Sequence, residues 1–190
     1  MTKKTMKGFQ LAGTSLKRER VKDDFYATPE CATKSLMEKE VFIGNVWECA
    51  CGDGMMSRVI EKYNTTISTD LVYRGYGKGE VNFLEQNDIV DNIVTNPPFK
   101  LFQEFAEQAL LLSKNKVALF GKLQALEGQK RATFLESSPL KIVYVFKKRV
   151  NPLRNGSPVD ENGKPWASTM AFAWYVWEKS YNGKPQIQWI

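Results

Sequence analysis

Histidine is absent from all 190 residues. That absence excludes Ser-His-Asp hydrolysis, histidine-based metal chemistry and histidine general-base catalysis. Cysteine is scarce as well. Cys31, Cys49 and Cys51 are too few and too unevenly spaced for a disulfide framework, and Cys-x-Cys without histidine makes a poor zinc site. They read as reduced, buried thiols of a cytoplasmic protein that carries no metal. No apolar run approaches the ~20 residues of a membrane span, and the N-terminus lacks a signal-peptide apolar core. A Walker A loop is missing, and so is the full Gly-x-Gly-x-x-Gly pattern, because position 57 is Ser57. ATP and dinucleotide sites are disfavoured accordingly.

What is present suits one domain with a sizeable core: 43% of the residues are apolar. The net charge of +6 and pI near 9.1 fit a polyanionic partner. The basic residues fall in two clusters. One is an N-terminal arm, residues 1–24, with Lys3, Lys4, Lys7, Lys17, Arg18, Arg20 and Lys22. The other is Lys147, Lys148, Arg149 and Arg154, in a loop (147–168) too long for an ordinary hairpin. That loop is expected to contact nucleic acid, with Trp166 as a stacking surface and Asp160 and Glu161 at its far end.

Apolar runs alternate with amphipathic ones through residues 25–190. Thr28-Pro29 starts a helix carrying Ala32, Leu36 and Met37. "NVWECA", "TTISTDL", "DNIVTN" and "KVALFGKL" read as strands, with helices between them on the spacing of Met56, Val59, Ile60 and Tyr63, then of Phe102, Phe105, Ala109 and Leu112. A further helix is expected near 126–136, followed by the strands "KIVYVF" and "TMAFAWYVWEK". This alternation predicts an α/β fold, a doubly wound and mostly parallel sheet with ligand sites at the strands' carboxyl ends. The last two strands are expected to form an antiparallel pair at its edge.

Three stretches fall at those carboxyl ends. Glu48-Cys49-Ala50-Cys51-Gly52-Asp53-Gly54 follows the first strand, where glycine lets a backbone approach a ligand closely. Asp70 closes the next strand, where a carboxylate can accept both hydroxyls of a ribose. Thr95-Asn96-Pro97-Pro98-Phe99 ends a third strand. Its two prolines fix φ and hold the preceding residue extended, so the chain leaves the sheet rigidly. The order of the three is more specific than any one of them.

On these residues the chain resembles the S-adenosylmethionine-dependent amino-methyltransferases. It is similar in particular to small phage and prophage adenine-specific DNA methyltransferases. "DFYATPE", "ECACGDG", "STDL", "VNFL" and "TNPPF" carry the resemblance, in the order of adenine enzymes whose recognition region is C-terminal. "LEGQKR" and "AFAWYVWEK" extend it. The resemblance implies a Rossmann-like methyltransferase fold with a seven-stranded sheet and an antiparallel edge strand. It implies S-adenosylmethionine held by Tyr26, Thr28, Pro29, Glu48, Cys49, Ala50, Gly52, Gly54, Asp70, Leu71, Asn82, Phe83 and Asn96, with S-adenosylhomocysteine as product. The implied catalytic loop is Asn96, Pro97, Pro98 and Phe99, acting on DNA in a monomer or homodimer. Two departures stand out: Asn82-Phe83 replaces the usual Asp-Phe, and no separate recognition domain follows the catalytic loop.

The chemistry fits the residues. An exocyclic aromatic amine is a weak nucleophile because its lone pair is delocalised into the ring. The Asn96 oxygen and the Pro97 carbonyl can accept its two N–H groups and favour the tetrahedral nitrogen that forms as a methyl arrives. Phe99 would stack on the flipped base. Rival expectations are an RNA base methyltransferase, a protein glutamine methyltransferase, and an inactive relative that only binds nucleic acid or a host protein.

Overall fold

The computed structural model describes residues 26–151, 153–154, 159, 162–163 and 170–190. The basic N-terminal arm, Asp160, Glu161 and Trp166 lie outside the described residues. A single mixed sheet organises the rest. Its strands are β2 (Val46–Glu48), β3 (Thr66–Ser68), β4 (Val90–Thr95), β5 (Ser113–Lys122), β6 (Leu140–Val145), β8 (Phe172–Glu178) and β9 (Gln186–Trp189), in the spatial order β3-β2-β4-β5-β8-β6-β9. Two short strands, β1 (Tyr26–Ala27) and β7 (Leu153–Arg154), form a separate antiparallel ribbon.

Side-chain alternation along the strands builds two cores. Trp47, Ile93, Val117, Leu119, Val143, Tyr175 and Trp177 face one layer, packed with α3 (Phe102–Leu112) and Leu135 of α4 (Gln129–Ser137). Val46, Val94, Ala118, Phe120, Ile142, Trp174 and Val176 face the other, packed with α1 (Glu30–Met37) and α2 (Met55–Ile60). Burial on both faces explains why these strands read as continuous apolar runs instead of alternating ones. Met56, Val59 and Ile60 are buried as the helical spacing predicts, but α2 stops at Ile60 and Tyr63 is exposed.

Strands β2 through β5 are parallel, with β4 beside β2 and β5 beside β4. The sequence expectation of a doubly wound, seven-stranded sheet is met. The expected pair β6–β8 forms and is antiparallel, and β8 is the one reversed strand. It sits inside the sheet, between β5 and β6. The edge beyond β6 is taken by β9, which runs parallel to β6. Gln186-Ile187-Gln188-Trp189 alternates polar and apolar residues, but a run of four is too short to stand out as a strand. The carboxyl ends of β2, β3, β4, β5 and β6 therefore lie along one rim.

Candidate active site

A cleft opens at that rim. It is walled by Tyr26, Ala27 and Thr28 on one side, by Glu48 to Cys51 beneath, and by Asp70, Leu71, Asn82 and Phe83 on the far side. Asn96, Pro97 and Pro98 close it. Ten of the thirteen residues expected to hold a cofactor line this one cleft. The three that do not are Pro29, which precedes α1, and Gly52 and Gly54, whose roles are internal.

Gly52 donates its N–H to Asp70 Oδ2 at 2.8 Å, which ties the loop after β2 to the end of β3. Gly54 has φ +81°, and the Tyr76 ring lies where a Cβ would be. Only glycine allows that turn and that contact together. The loop is shaped by its own packing before any ligand arrives.

Asp70 is more heavily engaged than the sequence suggested. Its Oδ1 accepts from the Val72 N–H at 2.8 Å and from the Arg74 guanidinium at 3.1 Å, in addition to the Gly52 bond at Oδ2. A carboxylate offers about four lone-pair sites. Three are used, so the expectation that Asp70 takes both hydroxyls of a ribose is narrowed to one open site. Asn82 shows a similar shift. Its Oδ1 accepts from the Leu84 N–H at 3.2 Å and so caps the short 3-10 turn Phe83–Glu85. Phe83 is buried, edge-on to Trp47, and presents its ring to the cleft. Leu71 is 62% exposed and forms an apolar lip opposite.

Glu48 is 2% exposed and lies on the cleft floor. Burial pushes its carboxyl up to about 8; the hydrogen bond with Ser57 Oγ opposes this, and the charge of Asp70 adds to it. Ser57 also shares a 2.7 Å bond with Ser68. Burial likewise pushes the Cys49 thiol well above its ordinary value, and Cys51 up to about 12. Both thiols are buried and favoured in the protonated form, whereas Cys31, expected to be buried with them, is exposed on α1.

Asn96 stands just beyond the end of β4, on the wall of the cleft. Its Nδ2 donates to the Tyr26 carbonyl at 2.8 Å. A carbonyl only accepts, so the amide's orientation is fixed. The Oδ1 is then left buried and without a protein partner. A second atom on the same wall, Thr28 Oγ1, is also buried and unpartnered. Two residues lining one cleft thus each keep a buried polar atom without a protein partner, as a site for a ligand with hydrogen-bonding groups would.

No family model matches the sequence, and no curated protein matches it either. Solved structures do match. The methyltransferase subunit of a type I restriction-modification system from Streptococcus thermophilus superposes with TM-score 0.59 at 11% identity, over 83% of this chain and 45% of that one. A candidate RNA methyltransferase from Pyrococcus horikoshii gives 0.61 at 15% identity, over 90% and 95%. Magnesium protoporphyrin IX methyltransferase from Synechocystis PCC 6803, solved with bound SAM, gives 0.51 at 10% identity, over 80% and 77%. The chain has the Rossmann-like methyltransferase fold. It spans about half the length of the restriction-system subunits it matches.

Phe99 does not line the methyltransferase-fold cleft. Its ring stacks on Tyr26 at 5.8 Å, leans on Phe172 at 5.5 Å and has the Lys122 ammonium 4.7 Å from its centroid. The expected base-stacking surface is therefore occupied by protein groups. Lys147, Lys148 and Arg149 are exposed beyond the end of β6, on the same rim as Asn96. β6 lies three strands from β4, roughly 14 Å at the usual strand spacing. The backbone of Arg154 pairs with Tyr26, which anchors the basic loop beside the cleft. Arg74 and Lys122 were missed by sequence reasoning. Arg74 was visible one helical turn's worth of sequence after Asp70, but nothing in the pattern placed Lys122 over Phe99. Among the described residues no helix is long and apolar enough to cross a membrane.

Proposed function

We propose that this chain is an S-adenosylmethionine-dependent methyltransferase that modifies an exocyclic amino group, with N6 of adenine in DNA as the target. One observation carries the reading: the Asn96 Oδ1, buried, unpartnered and held in aim by the Tyr26 carbonyl. A buried acceptor left open costs about 1–3 kcal/mol. An amine N–H arriving in the cleft offsets that cost.

The fold and the open atoms fit S-adenosylmethionine. Thr28 Oγ1 and the Glu48 carboxyl would meet its amino-acid end, the open site of Asp70 a ribose hydroxyl, and Leu71 and Phe83 the faces of its adenine. When bound, the cofactor supplies an activated methyl group on a cationic sulfur. The chain's own residues do the rest. Asn96 Oδ1 and the Pro97 carbonyl accept the two N–H groups of the target amine, and they bind it better as its nitrogen becomes tetrahedral. Pro97 and Pro98 hold both acceptors still. Tyr26 and Phe99 border the place of the base, which displaces Lys122 or Tyr26 from the Phe99 ring as it enters. The 1–24 arm and the 147–168 loop grip the nucleic-acid backbone.

RNA is the second reading, favoured by the match that covers 95% of the Pyrococcus protein. Tritiated methyl transfer offered in parallel to unmethylated DNA, RNA and protein separates these readings. Label in DNA adenine supports the first, label in RNA the second. Label in protein alone overturns the nucleic-acid reading, and no label together with no cofactor binding by calorimetry identifies an inactive relative.

A further inference from the structure

Lys122 ends β5, the strand beside β4, and so stands next to the Asn96–Phe99 loop. Four cations among the described residues are half-buried: Arg74, Lys116, Lys122 and Lys141. Three have a carboxylate partner. Arg74 meets Asp70 at 3.1 Å, Lys116 meets Glu40 at 2.6 Å, and Lys141 meets Glu178 at 2.8 Å. Lys122 has none among the described residues. Its Nζ rests instead 4.7 Å from the centre of the Phe99 ring. An ammonium on a half-buried side chain with no carboxylate beside it is electrostatically unfinished, and an aromatic face satisfies it only in part.

The position makes the missing partner informative. A base that stacks on Phe99 competes with Lys122 for the ring. The displaced ammonium swings on a flexible four-carbon stem and stays at the rim, where the backbone of an inserted nucleotide must pass. We propose that Lys122 binds a phosphate of the nucleic-acid substrate beside the target nucleotide, and that cation-π contact with Phe99 parks it there until substrate arrives. This rests on the nucleic-acid reading above. Lys122 is a positioning residue: it touches backbone and leaves the amine to Asn96.

The test compares the wild-type chain with Lys122→Met and Lys122→Arg. Methionine keeps an apolar stem against Phe99, so folding is preserved. Each protein is titrated with fluorescein-labelled single-stranded DNA across a salt series, and methyl transfer is measured for kcat and KM. Lys122→Met should bind about tenfold more weakly at low salt and lose about 0.7 from the slope of log affinity against log salt. KM should rise while kcat at saturation stays within about twofold, and Lys122→Arg should restore the salt slope. Unchanged affinity and slope in Lys122→Met, with a wild type that binds, would show that Lys122 only packs on Phe99. A wild type that binds no nucleic acid overturns the substrate reading together with this one.

Discussion

The Asn96 side chain is hydrogen-bonded to the main-chain carbonyl of Tyr26 at 2.8 Å, across a separation of 70 residues. Tyr26 belongs to β1, and β1 is held by the two-residue β7. The aim of the candidate catalytic oxygen is thus set by a segment that precedes the whole sheet, latched by the basic loop that follows β6. A polar atom at the end of β4 acquires a fixed direction from chain that is remote in sequence.

Asn96→Ala should reduce methyl transfer by about 10²–10³, as loss of one preorganised hydrogen-bonding group does elsewhere. Cofactor affinity, measured by calorimetry, should hardly change, because the lost oxygen acts on the amine and β1 keeps its pairing with β7 when the bond to Tyr26 goes. Full methyl transfer by this variant would end the amine-clamp mechanism.

Asp70→Ala should lower cofactor affinity by ~1.5–3 kcal/mol, the usual worth of a hydrogen bond to a charged group. It should also lower the melting temperature, since the Gly52 and Val72 N–H groups and Arg74 all lose an acceptor. Arg74→Met separates the two effects. It spares both backbone bonds and frees an acceptor site on Oδ1, so affinity should hold or rise. Wild-type affinity in Asp70→Ala would remove Asp70 from the ligand set.

The strands β2, β4, β5, β6 and β8 were legible because burial on both faces gives each a short apolar run, as at 117–120 and 172–177. The cleft was legible through its loop residues: Asp70 and Asn96 are polar groups stranded at strand ends, where no packing argument accounts for them. What stayed hidden depended on partners distant in sequence. β1 and β7 have two residues each and exist only by pairing with one another. β9 is exposed along its length and shows no alternation of burial. The crowding of Asp70 and the capping by Asn82 come from local turn geometry, which composition does not reveal. Phe99 carried a base-stacking expectation, yet its contacts with Tyr26, Phe172 and Lys122 come from three separate elements.

The Glu48 carboxyl should make both folding and binding depend on pH. Its ordinary value of 4.5 is raised to about 8 in the folded protein. The folded form therefore keeps a proton that the unfolded chain has released. Stability from this group is fully present below pH 4.5, declines as pH rises, and is gone above about 8. The slope is at most about 1.4 kcal/mol per pH unit. Urea unfolding at pH 5, 6.5 and 8.5 should show the decline in the wild type and lose it in Glu48→Gln. A cationic cofactor favours the ionised carboxylate, so its affinity should rise with pH toward 8 and release a proton on binding. Affinity that ignores pH in the wild type would mean that Glu48 does not face the cofactor's charge.

Neutralising Lys147, Lys148, Arg149 and Arg154 together should weaken nucleic-acid binding and flatten its salt dependence. These residues open the long connection between β6 and β8, and the first three are exposed on the rim that carries Asn96. Their distance from β4, roughly 14 Å, is about two nucleotides of extended backbone, so they would hold phosphates flanking the target while Lys122 holds the nearest. Each lost duplex contact should remove up to ~0.9 from the slope of log affinity against log salt. Cofactor binding should survive, because Lys147, Lys148 and Arg149 do not line the cleft. The pairing of Arg154 with Tyr26 is made by backbone, so a side-chain substitution there should leave the β1–β7 latch, and with it the aim of Asn96, in place. The expected pattern is therefore a raised KM with kcat retained at saturating DNA. A salt slope equal to that of the wild type would place the nucleic-acid surface elsewhere on the molecule.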